Sequence, residues 1–147
     1  MLYMSTQTHF IIYTDGGSRG NPGPSAIGVF IPDRDKRYGE YIGEGTNNTA
    51  EYQAIVFALK KAKSLLGSHI AQQTCIEIRS DSQLVVNQLS GIFKLKEPEL
   101  FSYFVSIWNL KQEFKEVLFI HIPREQNGVA DRMVNEALDE HQKRSLF

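Results

Sequence analysis

Two hydrophobic rhythms alternate along the chain. Residues 9–15, HFIIYTD, are apolar, β-branched and aromatic, and they stop at the glycine-rich run GGSRGNPGP over 16–24. A buried strand followed by a turn is predicted. AIGVFIP (26–32) reads as a second strand. The charged run DRDKR (33–37) suits a hairpin connection, and YGEYIGEG (38–45) alternates as a third strand whose glycines point to bulges or an edge. The rhythm then changes to helical spacing. Over 46–67, Tyr52, Ile55, Val56, Leu59, Ala62 and Leu66 fall on one stripe, with Asn48 or Thr49 as the cap and Gly67 as the stop. CIEIRS (75–80) is a short strand, and 81–91 is a helix with Leu84, Val85 and Leu89 inward, closed by Gly91. After the connector KLKEP, 99–114 is a helix with Leu100, Phe101, Phe104, Val105 and Trp108 on its inward face. VLFIHIP (117–123) is the last strand. Residues 127–141 form the last helix, with Ala130, Val134, Ala137 and Leu138 as its stripe, and 141–147 grade into a tail.

The order β-β-β-α-β-α-α-β-α predicts an antiparallel meander that becomes a mixed sheet packed by helices, an α/β fold. At 147 residues the chain suits a single domain spanning 1–147 with one core. No internal repeat, low-complexity segment or linker interrupts it.

Charge adds a constraint. Sixteen Lys+Arg stand against 17 Asp+Glu, a formal charge of −1. A protein holding nucleic acid by bulk electrostatics would be strongly basic. No apolar run of about eighteen residues is present, so no membrane partner is expected. The N-terminus lacks the basic start and apolar stretch of a secretion signal. Cys75 is the single cysteine, which excludes an internal disulfide and a cysteine-rich zinc site. A cytoplasmic location is the expectation.

Four carboxylates sit at element ends. Asp15 closes an apolar strand, Glu51 lies in the first turn of a helix, Asp81 follows a buried strand, and Asp131 opens the last helix. Taken singly, Glu51 and Asp131 fit the helix dipole and Asp81 fits an N-cap. Asp15 is harder to explain in that way, because it belongs to an otherwise apolar run. If the first and fourth strands are parallel neighbours, Asp15 and Asp81 meet. Clustered like charges need a counter-charge, and an all-oxygen ligand set suits Mg²⁺ or Mn²⁺ rather than zinc.

The blocks YTDGGSRGNPGP, TNNTAEYQA, SDSQLVVNQL and PREQNGVADRMVNEA resemble the four motifs of type 1 ribonuclease H, in order and over nearly the whole chain. The resemblance implies a ribonuclease H-like fold, a five-stranded mixed sheet flanked by helices on both faces. It implies an endonuclease that cuts the RNA strand of RNA–DNA hybrids, leaving 5′-phosphate and 3′-hydroxyl ends. Asp15, Glu51, Asp81 and Asp131 would be the catalytic, metal-holding carboxylates for two Mg²⁺ ions, with Mn²⁺ as a substitute. Gly16, Asn21, Thr46, Asn47, Asn48 and Gln83 match positions that contact the hybrid, where neutral amides suit minor-groove edges and sugars. Near the last aspartate such enzymes usually carry a histidine. His121 and Arg124 are the two choices here. Arg124, in a short loop like that of archaeal-type members, is favoured for the catalytic role.

The basic, tryptophan-rich protrusion of many bacterial members is reduced to GIFKLKEPEL (91–100), which leaves Lys94 and Lys96. Weaker hybrid affinity, with a salt dependence resting on few cations, is the consequence. The enzyme is expected to act as a monomer, and double-stranded RNA is left open as a side substrate. A hybrid-binding module without turnover and another phosphoryl-transfer enzyme of the same fold are the rival readings.

Overall fold

In the computed structural model, residues 8–146 are described. The start of the chain, read above as carrying no secretion signal, and Phe147 lie outside the described residues. Five strands form one sheet: β1 (Thr8–Ser18), β2 (Gly23–Ile31), β3 (Lys36–Gly45), β4 (Thr74–Ser80) and β5 (Glu116–His121), in the order β3-β2-β1-β4-β5. The helices are α1 (Asn47–Leu66), the single turn α2 (Ser68–Ala71), α3 (Gln83–Leu89), α4 (Phe101–Lys111) and α5 (Gly128–Arg144). No described helix is long and apolar enough to cross a membrane.

β1, β2 and β3 are the expected antiparallel meander, while β1–β4 and β4–β5 are parallel. The glycines of β3 do mark an irregularity, since the β2–β3 register shifts between Ser25 and Ala26. β1 is the central strand. Phe10 and Ile12 pair with Ile76 and Ile78 and, with Val29 and Ile31, send fully or nearly fully buried side chains into the main core beneath α1, α3 and α4. Each such burial stabilises by about 1.5–3 kcal/mol. The opposite face is covered by α5, whose Val134 and Leu138 pack with Ala26. This helix sits unusually close to the sheet. A Cβ on Gly28 would come within 2.0 Å of the Ala130 carbonyl oxygen, and one on Gly39 within 2.5 Å of the Met133 oxygen.

Several expected boundaries move. The strands run through the glycine-rich segment as far as Ser18 and resume at Gly23, so the turn is shorter than 16–24. The connection at 33–37 contains a 3₁₀ turn over Pro32–Arg34, with Asp35 left-handed at φ 49°. Thr46, not Asn48 or Thr49, caps α1. Its hydroxyl accepts from the Thr49 N–H at 3.1 Å and the Thr49 hydroxyl accepts from the Thr46 N–H at 2.9 Å. α4 begins at Phe101 after a 3₁₀ turn over Pro98–Leu100 and ends at Lys111. Its buried residue is Ile107, with Phe104 packed beside it, and Leu100 is buried in the preceding 3₁₀ turn. Phe101, Val105 and Trp108 face outward, 46%, 55% and 57% exposed. Leu84 of α3 is likewise exposed, and Val86 takes the buried place beside Val85 and Leu89. α5 continues to Arg144, so the tail is shorter than expected.

Candidate active site

Asp15 and Asp81 come together because of strand register. Tyr13 pairs with Arg79 across the parallel β1–β4 ladder, so two residues further on each strand the aspartates stand level. Glu51 joins them through a glycine. A Cβ on Gly16 would lie 2.3 Å from the Ala50 carbonyl carbon, so only glycine lets β1 approach the backbone of α1 this closely. One carboxylate oxygen from each of Asp15, Glu51 and Asp81 lies within 4.8 Å of the others. Asp15 is 8% exposed and Glu51 is 7% exposed.

Two of the ordinary explanations for these acids do not hold. Glu51 lies beyond the first turn of α1, which contains no acidic residue, and it is buried. The N-cap of α3 is Ser82, whose hydroxyl accepts from the Val85 N–H at 3.3 Å, so Asp81 is free of capping duty. Asp131 stays exposed in the first turn of α5 and outside the close trio. It lines the same cleft of about 320 Å³, and its charge reaches Asp15.

The cluster is electrostatically costly. Burial, then the charge of Asp81, pushes Asp15 up to about 7. Burial, then the charge of Asp15, pushes Glu51 well above the usual carboxylate range. The Gly16 N–H offsets part of this by donating to both. Glu51 Oε2 is buried with no hydrogen-bond partner. An orphaned hard oxygen facing two more carboxylates fits a hard divalent cation. Cation binding would displace the protons that these carboxyls hold and remove the repulsion.

Arg124 lines the cleft. His121, at the exposed end of edge strand β5, does not. Gly16, Asn47 and Asn48 also line it, whereas Asn21, Thr46 and Gln83 lie outside the lining. Asn47 Oδ1 accepts from the Ser18 N–H at 2.9 Å, and Asn21 Oδ1 accepts from the Asn47 N–H at 3.0 Å. These two amides therefore lock the β1–β2 turn onto the start of α1.

One buried site residue escaped the sequence reading. Asn127 caps nothing in its own helix. Its Nδ2 donates to the Thr14 carbonyl at 2.8 Å and to Asp81 Oδ2 at 3.3 Å. It thereby pins the start of α5 to β1 and holds Asp81. The only signal in the sequence is an Asn just before a helix, which by itself reads as a cap.

The reverse transcriptase-like family model matches residues 13–137. LC11-RNase H1, isolated from compost by a metagenomic approach and solved with an RNA/DNA hybrid, is 45% identical; the match covers 90% of this chain and 99% of that one with a TM-score of 0.85. This chain belongs to the ribonuclease HI family. The ribonuclease HI of Halobacterium salinarum is 40% identical over 87% of this chain and 63% of its own length. A bifunctional protein of Mycobacterium tuberculosis is 37% identical over 88% of this chain. The chain spans about a third of that longer relative's length, 35%.

Proposed function

We propose that the protein is a metal-dependent endonuclease that hydrolyses the RNA strand of RNA–DNA hybrids, with Mg²⁺ as its ion. The observation that carries this reading is the trio Asp15, Glu51 and Asp81, the first two buried and the third half-buried beside them, not neutralised by any basic side chain at hydrogen-bond distance among the described residues. The likeness to an enzyme solved on an RNA/DNA hybrid supports the substrate.

The trio and Asp131 would hold Mg²⁺. Bound there, the ion supplies Lewis-acid polarisation of the phosphate and an acidified attacking water. The side chains do the rest. The interior of β1 fixes Asp15 and the end of β4 fixes Asp81, so that the site is preorganised before substrate arrives. Arg124 offers its guanidinium to a phosphate oxygen from the cleft wall. Asn47 and Asn48 offer donors and acceptors to sugar and base edges, where the 2′-hydroxyl separates RNA from DNA. Products would carry a 5′-phosphate and a 3′-hydroxyl. A labelled hybrid incubated with and without Mg²⁺, beside Asp15→Asn, tests the reading. Cleavage that needs both Mg²⁺ and Asp15 is expected, and equal cutting by both proteins would overturn it.

A further inference from the structure

Asp131 poses a geometric problem. Unlike Asp15 and Asp81, it rides on a helix that shares no backbone ladder with the sheet, so its reach depends on how α5 is moored. Hydrophobic contact fixes the height of α5 above β2 and β3, through Ala130, Met133, Val134 and Leu138 over Gly28, Gly39 and Ala26 and a His141 ring stacked on Tyr41 at 3.6 Å, but apolar contact is non-directional and by itself sets the axial place of the helix weakly. Two polar ties remain among the described residues. One is Asn127 at the helix start. The other comes from Arg19, in the turn between β1 and β2.

The Arg19 guanidinium reaches three α5 residues. Nη2 donates to Asp139 Oδ1 at 2.6 Å and lies 3.5 Å from the Asn135 carbonyl oxygen, while Nη1 donates to Gln142 Oε1 at 3.2 Å. Asn135 is the link inward. Its Nδ2 donates to the Asp131 carbonyl at 3.0 Å and lies 3.4 Å from Asp131 Oδ1. Asp131 thus sits between two moorings, Asn127 one turn before it and Asn135 one turn after it. A planar fork with several fixed donors defines orientation as well as distance, which a lysine would not.

We infer that Arg19 is a positioning residue for the proposed hydrolysis: through Asp139 and Asn135 it sets the axial place of α5 and so the reach of the Asp131 carboxylate into the cleft. This rests on the functional reading above. The Arg19–Asp139 pair is partly exposed, with side chains 38% and 60% accessible, so its contribution to global stability is small. Its effect falls on the site. Residues that orient a ligating group typically alter metal affinity or activity by about 10–100-fold when removed.

Arg19 also lines the cleft, so a direct phosphate contact is the competing role, and Asp139 separates the two. Arg19→Ala, Asp139→Asn, the double variant and the charge exchange Arg19→Asp with Asp139→Arg are compared in hybrid cleavage and, without substrate, in Mn²⁺ titration. Positioning predicts that each single variant lowers kcat and weakens Mn²⁺ binding by about tenfold, with KM little changed. The double variant is then no worse than either single one, and the charge exchange recovers part of the loss. If Asp139→Asn is silent while Arg19→Ala raises KM, Arg19 is a hybrid contact and the inference fails. If neither substitution changes cleavage or Mn²⁺ affinity, the pair is a surface ornament and the inference fails as well. Should the wild type bind Mn²⁺ but leave hybrids uncut, the functional reading falls, while the titration still decides whether Arg19 places Asp131.

Discussion

Asp15 carries a heavy electrostatic burden, set by its burial and by the charge of Asp81. In the folded protein without metal it keeps its proton up to about pH 7, whereas in the unfolded chain it releases it near 3.8. Between those values the native state binds the extra proton, so stability falls as pH rises and levels off above pH 7. The penalty is on the order of 2–4 kcal/mol. Asp15→Asn removes the charge and keeps the shape. Urea unfolding of the metal-free protein at pH 8 is expected to give a higher midpoint for Asp15→Asn than for wild type, and at pH 4 nearly equal ones. Identical midpoints at both pH values would show that burial does not strain this carboxylate. Asn127 works in the opposite sense. Asn127→Ala leaves the Thr14 carbonyl unpaired and frees Asp81, and a loss of about 1–3 kcal/mol is expected. Thermal melting measures that loss. Metal titration of the same variant is expected to show weaker binding, which a purely structural amide would not produce.

At the scale of elements, glycines decide whether the pieces can meet. Gly16 and Gly28 allow the backbones of α1 and α5 to lie against β1 and β2. Gly28→Ala places a methyl group 2.0 Å from the Ala130 oxygen, which is too close for any rotamer to relieve. The helix must lift, at a cost of about 1–3 kcal/mol or more. Calorimetry is expected to show the lower melting temperature, and hybrid cleavage should fall further than the lost folded fraction explains, because Asp131 moves with α5. Element identity and order were legible from periodicity, since strands β1 and β4 and helices α1 and α5 are long or strongly patterned. The α4 face was not. Its residues FSYFVSIWNL contain no charge to mark the solvent side, so Phe101, Val105 and Trp108 were assigned inward when they face out. Asp81 and Asp131 were legible through their places at element ends and Asp15 through its place in an apolar run, although Asp15 lies inside β1, which continues to Ser18, and Glu51 lies past the first turn of α1. Asn127, Asn135 and Arg19 were not, because their partners lie on other elements, and such pairings follow from register and helix placement rather than from local sequence.

For the whole molecule, the governing fact is a net charge of −1 combined with an acidic cleft. Affinity for a polyanion must then come from a few placed cations and from the metal. Lys94 and Lys96 stand out here because of their loop. Leu95 between them packs on the core, and Glu97 Oε2 accepts from Gln88 Nε2 at 3.3 Å and from the Lys96 N–H at 3.2 Å. Gln88 in turn accepts from the fully buried Tyr52 hydroxyl at 2.7 Å. The loop is therefore anchored at Leu95 and Glu97, and both lysines are exposed. Cations carried in this way cost little backbone ordering on meeting phosphate, unlike lysines on a mobile extension. If each neutralises one phosphate, the slope of log affinity against log salt drops by about one for each lysine removed. Binding of hybrid by Asp15→Asn, titrated across salt concentrations with Lys94→Ala and Lys96→Ala added singly and together, checks this. Equal slopes in all four proteins would mean that this loop faces away from the hybrid and that the cleft and its metal carry the binding alone.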